Sequence, residues 1–219
     1  MATVQIPSEQ RFVLTGVDWP TYGRLLRAFD QRHVRLTYDR GALELMTLSP
    51  EHECYKKLLG RLVEALTEEL ALPLASFGSM TFRRRRKKRG LEPDDCYWIA
   101  SEPQIHGKVH INLRTDPPPD LALEIDVTHS SLDRLSIYAA LNVAEVWRFD
   151  GQVLTFHVLG ADGRYVTQIH SRAFPALAVA DMARFLALRQ QTDENDVVRQ
   201  FRAWVRQHLT GGGSSPTTP

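Results

Sequence analysis

The stretch PPPDLALEIDVTHSSLDRLSIYAALNVAEVWRFDG spans residues 117–151 and contains three successive secondary-structure patterns. Within it, residues 120–127 alternate apolar and polar side chains with the period of two that is typical of a β-strand. The segment SSLDRLSIYAAL predicts a short helix with Ser130 or Ser131 as its cap. AEVWRFDGQVLTFHVL then predicts a hairpin that turns at residues 150–151. A strand, a helix and a hairpin in succession indicate an α+β (α/β) protein.

The same two periodicities predict the elements outside this stretch. Ser49 and Pro50 form a typical helix start, and the apolar stripe that follows predicts a long amphipathic helix that ends before Pro73. The other predicted elements are a helix over residues 19–30, an N-terminal β-hairpin over 34–45, strands over 74–82 and 94–99, a strand in RYVTQIH, and a C-terminal helix over 194–209.

The bulk properties limit the class of protein. We expect one domain over residues 11–209, a loose leader over residues 1–10 and a disordered tail over residues 210–219. The formal net charge of +1 provides no general basic field, so nucleic-acid binding requires a local patch. Two cysteines without metal-like spacing, and no apolar run near the ~18 residues of a membrane span, indicate a reduced, cytoplasmic protein without a membrane partner.

Acidic residues occupy spaced positions in two predicted strands. Glu124 and Asp126 share one face of the strand over residues 120–127, and an unpaired carboxylate is costly to bury, so these acids must face water, cations or a metal. Asp94 lies where it would meet Glu124 across the sheet. Carboxylates on adjacent strands are a usual site for a hard cation such as Mg²⁺. The alternative is a set of acids on the exposed face of a sheet.

Seven consecutive cations precede Asp94 in the sequence. One interpretation is the solvated tip of a hairpin; the other is a patch that contacts nucleic-acid phosphates without reading sequence. The seven candidate DNA-binding residues are Arg83, Arg84, Arg85, Arg86, Lys87, Lys88 and Arg89.

Pro93-Asp94 and, thirty residues after Asp94, Glu124-x-Asp126 resemble the PD-(D/E)xK nuclease superfamily. GLEPD, the long block ending in WRFDG, FPAL and SPEH are more closely similar to the Uma-type restriction endonuclease family within that superfamily. The resemblance implies a restriction-endonuclease-like fold, with a mixed central β-sheet flanked by helices. It also implies a DNA endonuclease that uses Mg²⁺, with Mn²⁺ as an alternative.

The resemblance implies roles for individual residues. Asp94 and Glu124 would be the metal ligands, with Asp126 helping to hold a second ion, and Glu51 or His52 would be an auxiliary group. From the residues alone, His52 is better explained as a histidine packed against the helix stripe. Glu51 is equally well explained as a favourable charge in the first helical turn.

Arg134 occupies the position on the following helix where this branch of the superfamily is expected to carry its lysine. Arginine stays protonated and cannot act as a general base, although it can stabilise developing negative charge. The alternative function is therefore a catalytically inactive nucleic-acid-binding or regulatory module that retains the fold. A third is a structural domain whose acids only decorate the surface. A homodimer would suit cleavage of both strands.

Overall fold

The computed structural model describes residues 9–30, 32, 34–78 and 80–210. The helices in this part of the chain are α1 (Trp19–Ala28), α2 (Pro50–Glu69), α3 (Arg134–Leu141), α4 (Val179–Leu188) and α5 (Glu194–His208). The strands are β1 (Arg11–Leu14), β2 (Val34–Asp39), β3 (Ala42–Thr47), β4 (Ala75–Ser76), β5 (Phe82–Arg84), β6 (Arg89–Leu91), β7 (Asp95–Trp98), β8 (Leu121–Ile125), β9 (Glu145–Phe149), β10 (Leu154–Leu159) and β11 (Tyr165–Gln168).

The strands form two sheets. The central sheet has the order β11-β10-β9-β8-β7-β4, and its pairs are antiparallel except for the parallel pair β8–β9, which α3 connects. Helices α2, α4 and α5 share one core with this sheet, and α3 shares a second core on its other face. The hairpin sheet has the order β1-β3-β2-β6-β5 and packs against α1. The mixed α+β architecture confirms the predicted fold class.

Helix α2 begins where the sequence predicts it. The Ser49 hydroxyl accepts a hydrogen bond from the His52 amide at 3.1 Å, and Pro50 occupies the first helical position. The apolar stripe of α2 is buried against the central sheet, with Leu58 and Leu62 inaccessible to solvent. This packing fixes the first turn of α2, and therefore His52, near the ends of β7 and β8.

The predicted strand over residues 74–82 is two strands in different sheets. β4 pairs with β7 in the central sheet, whereas β5 pairs with β6 in the hairpin sheet. Gly78 lies between them with φ of +56°, a conformation that glycine adopts readily. The chain leaves one sheet there and enters the other.

Three further features differ from the prediction. The side chain that caps α3 is Asp133, which accepts from the Ser136 amide at 3.1 Å, so Ser130 and Ser131 lie before the helix. Helix α4 and strand β1 were not predicted. Glu9, within the leader predicted over residues 1–10, is buried. Residues 1–8 of that leader and residues 211–219 of the tail predicted over 210–219 lie outside the described residues.

Helices of the described part of the chain lack the combination of length and apolar character that crossing a membrane requires.

Candidate active site

Asp94 and Glu124 lie on neighbouring strands of the central sheet. Asp95 is opposite Leu123 in the β7–β8 register, and the Asp94 amide, one residue earlier, donates to the Leu123 carbonyl at 3.1 Å. The side chains of Asp94 and Glu124 are only 3% and 6% exposed. The two carboxylates therefore lie near each other inside the protein, and each needs a compensating positive charge there.

Asp94 receives its compensation from His52. The imidazole Nε2 is 2.8 Å from Asp94 Oδ1, and the Ile125 amide donates to Asp94 Oδ2 at 2.7 Å. The other ring nitrogen of His52, Nδ1, is 3.0 Å from Glu9 Oε2. His52 is thus buried, as packing against the helix stripe would require, and it also bridges two carboxylates.

The Glu9–His52–Asp94 chain sets the charge of each member. Burial opposes ionisation of Asp94 and Glu9, but the hydrogen bonds and charge from their cationic neighbours outweigh it and lower the pKa of both carboxyls. Burial likewise opposes the charged imidazole, but the hydrogen bonds to Asp94 and Glu9 outweigh burial and raise the pKa of His52 to about 9. At neutral pH the three groups form an anion–cation–anion chain.

We expect the His52 imidazole to titrate with a pKa of about 9, against about 6.5 in the unfolded chain. Its contribution to stability is then complete below pH ~6.5 and is lost as the pH rises through the folded pKa. NMR titration of the ring measures this value directly, with Glu9→Gln expected to lower it because one carboxylate is removed. A wild-type pKa at or below 6.5 would contradict the bridge.

Glu124 is held by α3. Arg134, the first residue of α3, donates from Nη2 to Glu124 Oε1 at 2.7 Å, and the Tyr138 hydroxyl donates to the same oxygen. Arg134 also donates to the Glu92 carbonyl at 3.0 Å and to the Thr37 hydroxyl, which ties the hairpin sheet to the central sheet. Burial, together with the charge of nearby Asp94, outweighs Arg134 and raises the pKa of Glu124.

Asp126 belongs to a second ionic cluster, centred on Arg11. The Arg11 guanidinium lies 2.7 Å from Glu9, 3.1 Å from Glu44 and 2.8 Å from Asp126. Asp126 also accepts from Arg148. Because Glu9 takes part in both clusters, they form one network in which the exposed fractions of Arg11 and its three carboxylates are between 1% and 8%.

The acids predicted to face water, cations or a metal therefore face cations. β8 is buried on both faces, and a cavity of about 150 Å³ adjoins its polar side. Glu124, Asp126, Arg134, Tyr138 and Arg148 are among the residues that line it. This cavity is a path by which a small ion or a phosphoryl oxygen could reach Glu124.

The remaining predicted site residues lie outside the network. Glu51 is exposed in the first turn of α2, where its explanation as a favourable charge at the helix start places it. The cationic run forms the tip of the β5–β6 hairpin, as the hairpin interpretation predicted. Its last member, Arg89, is not available to a ligand, because it donates to Asp39 at 2.8 Å and to the Ser136 carbonyl at 2.9 Å.

Five residues of the site were not identified from the sequence: Glu9, Arg11, Glu44, Tyr138 and Arg148. Tyr138 is buried, and its hydroxyl donates to Glu124. Glu9, Arg11 and Glu44 come together only through the long-range pairing of β1 and β3. No local pattern in the sequence signals that pairing.

The donor atoms fit a divalent cation in their chemistry. Carboxylate oxygens are the ligands that Mg²⁺ prefers, and Glu124 Oε2 has no hydrogen-bond partner among the described residues. No group of three acidic, histidine or cysteine side chains in the described ranges is close enough together to hold a metal. To coordinate an ion fully, Asp94 would therefore have to release His52 and Glu124 would have to release Arg134.

Comparison with models of protein families identifies the family of this chain. The family model described as Uma2: Putative restriction endonuclease matches residues 19–188, which is more than half of the chain. The chain belongs to the Uma2 family. This confirms the resemblance to the PD-(D/E)xK, restriction-endonuclease-like superfamily and indicates a nuclease-like function. Proteins of this fold generally use a divalent metal. No curated protein has a significant match to the chain.

The Uma2 match includes Asp94, Glu124, Asp126 and Arg134. It begins at Trp19, after the strand that carries Arg11. Part of the ionic network is thus supplied from outside the segment that matches the Uma2 family.

Proposed function

We propose that this protein is a metal-dependent DNA endonuclease that hydrolyses phosphodiester bonds and uses Mg²⁺, or Mn²⁺ in its place. The observation that carries the proposal is the pair Asp94 and Glu124 on adjacent strands, with the Arg134 guanidinium 2.7 Å from Glu124 and a cavity beside them. Family membership supports the nuclease class, and the buried charges support a site rather than surface decoration.

Asp94 and Glu124 would hold the ion, with Asp126 beside them. A divalent ion bound there would favour ionisation of a water molecule and neutralise charge on the scissile phosphate. Arg134 remains protonated, since the adjacent Glu124 raises its pKa despite burial, so it binds phosphoryl oxygens and does not accept a proton. His52 orients Asp94 through its 2.8 Å contact.

A second candidate function is a nucleic-acid-binding module without hydrolysis. The observation that favours it is that both proposed metal ligands already have cationic partners, Asp94 with His52 and Glu124 with Arg134. Such pairs stabilise the carboxylates without a metal. The two candidates make the same prediction for DNA binding and opposite predictions for cleavage.

Supercoiled plasmid and single-stranded DNA, incubated with purified protein in Mg²⁺ and separately in Mn²⁺, test the proposal. Nicking that requires either ion and stops with EDTA supports the endonuclease. Salt-sensitive binding without cleavage in either ion overturns it in favour of the binding module. Neither binding nor cleavage would overturn both.

The cations at the β5–β6 tip are proposed to contact the DNA backbone. Arg83, Arg86 and Lys87 are exposed, and each phosphate contact contributes a slope of roughly −0.9 to the dependence of log affinity on log salt. Replacing all three with glutamine is expected to reduce that slope by up to about 3. Fluorescence anisotropy across a salt series measures the change. The matched control is Arg164→Gln, in an exposed turn of the other sheet, and an unchanged slope in the triple variant would contradict the contact.

We also infer a homodimer and a cytoplasmic location. Two related sites are the simplest arrangement for cutting both strands of a duplex. Cys54 and Cys96 are free thiols in the described structure, which supports a reducing compartment.

A further inference from the structure

A larger cavity lies away from the ionic network, where the start of α1 meets the β2–β3 turn and the β5–β6 tip. Its volume is about 490 Å³, within the range of roughly 300–1,000 Å³ that is typical of small-molecule sites. Tyr38, in its wall, stacks on Tyr22 of α1 with ring centroids 4.7 Å apart. The next residue along β2, Thr37, contacts Arg134. Because adjacent residues of a strand face opposite ways, this cavity and the candidate active site lie on opposite faces of the hairpin sheet.

Three cations line the cavity: Arg40, Arg85 and Lys88. Among the described residues, Arg85 and Lys88 have no carboxylate partner, whereas Arg40 lies 2.9 Å from Asp39 with its side chain two-thirds exposed. The one acid in the lining, Asp18, accepts from the Thr21 amide at 2.7 Å, and hydrogen bonding to the Thr21 side chain and amide lowers the pKa of its carboxyl. The lining therefore has an excess of positive charge, which suits an anion.

Two of these cations sit on unusual backbone. Arg40 and Lys88 both have φ of +48°, in the left-handed region that asparagine and glycine adopt far more readily than long side chains. A hydrogen bond of 2.9 Å from the Arg40 amide to the Lys88 carbonyl joins them. Non-glycine residues held in this region often mark a functional site. Here two such residues, Arg40 and Lys88, lie at the edge of one cavity.

An aromatic platform completes the lining. Trp19 is half-buried, and its ring meets Tyr38 edge-on with centroids 5.5 Å apart. Indole rings stack on nucleobases, and base stacking on aromatic side chains is tolerant of base identity. A tryptophan beside three cations offers a surface on which a base can stack and positive charge for a phosphate, which are the two interactions that a nucleotide requires.

We propose that this cavity binds a nucleoside phosphate, with the phosphate at Arg40, Arg85 and Lys88 and the base against Trp19. The nucleoside phosphate has two sources, the phosphorylated end of a nucleic-acid strand or a free nucleotide. Binding there does not need a metal or cleavage. The site is therefore independent of the proposed hydrolysis, although Arg85 and Lys88 also belong to the β5–β6 tip proposed to contact DNA.

The test titrates the full-length protein, in EDTA, with AMP, with a 5′-phosphorylated oligothymidylate, with the same oligomer lacking its phosphate, and with inorganic phosphate. Calorimetry gives affinity, and tryptophan emission reports stacking, since Trp98 and Trp147 are inaccessible to solvent and the half-buried Trp204 lies on α5, outside the cavity lining. We expect quenching that disappears in Trp19→Leu. The double variant R40N/K88N is expected to bind about tenfold to a hundredfold more weakly, with Arg164→Gln as the matched control.

The double variant separates binding from folding, because asparagine accepts the left-handed backbone and is expected to leave the melting temperature unchanged or higher. Tighter binding of the phosphorylated oligomer than of both AMP and the oligomer lacking its phosphate assigns the site to strand ends, and AMP binding as tight as that of the phosphorylated oligomer assigns it to free nucleotides. Inorganic phosphate binding as tightly as AMP, affinity unchanged in R40N/K88N, or no binding of any probe overturns the proposal. Because EDTA is present, none of these outcomes depends on nuclease activity.

Discussion

Replacing Arg11 with methionine is expected to lower the free energy of unfolding by about 3–5 kcal/mol, the usual cost of removing one partner from a buried ion pair. The reason is that Arg11 compensates Glu9, Glu44 and Asp126 at once, within 3.1 Å of each. Methionine has a similar length and no charge, so it leaves three buried carboxylates without that guanidinium. Urea denaturation of the two proteins at neutral pH measures the difference.

The matched control is Arg164→Met, which makes the same substitution at an exposed turn and should change the free energy of unfolding by less than about 0.5 kcal/mol. The loss in Arg11→Met should also shrink at low pH, where the carboxylates bind protons and no longer need the cation. A loss below about 1 kcal/mol at neutral pH would show that Arg11 is not the centre of the cluster.

The second large effect concerns activity. If the proposed function is correct, Asp94→Asn is expected to reduce metal-dependent nicking by about 10³-fold or more, because an amide is a weak ligand and the several kcal/mol contributed by the metal is lost. The substitution keeps the shape of the side chain. The carbonyl oxygen of the introduced asparagine can still accept from the Ile125 amide, as Asp94 does at 2.7 Å. Plasmid nicking at equal protein concentration measures the loss.

Asp95→Asn is the control for that experiment. It is the same change one residue along, on the opposite face of β7, where Asp95 accepts from the Tyr97 hydroxyl at 2.9 Å. Asparagine can accept the same hydrogen bond, so nicking should stay within a few-fold of wild type. Nicking that persists in Asp94→Asn would belong to a contaminating enzyme or to another site, and equal losses in both variants would indicate a structural effect.

The sequence predicted the elements whose signal is local. The apolar stripe and the Ser49-Pro50 start identified α2, and period-two alternation identified β8 together with the acids it carries. The same alternation placed the acids on a face that had to meet water, cations or a metal. It did not indicate that the face is buried, because α3 covers it and supplies the cation Arg134. Alternation reveals which residues share a face, and only packing determines what covers that face.

The rest of the site depends on contacts between distant residues. Glu9 lies 43 positions from His52 and 119 from Thr128, yet it contacts both. No spacing rule connects such positions. The single strand predicted over residues 74–82 was wrong for a related reason: its two halves pair with different partners, and pairing is a property of the whole fold.

Strand β1 forms one edge of the hairpin sheet, with Phe12, Val13 and Leu14 all exposed, and only Arg11 turns inward. This peripheral strand lies before the segment that matches the family, but its Arg11 is the cation beside Glu44 and, together with Arg148, beside Asp126 within that segment. The segment that matches the family therefore does not contain all the cations that neutralise its own buried carboxylates. The segment recognisable by ancestry thus excludes Glu9 and Arg11, which complete the ionic network, and α5, whose apolar residues lie in the same core as α2.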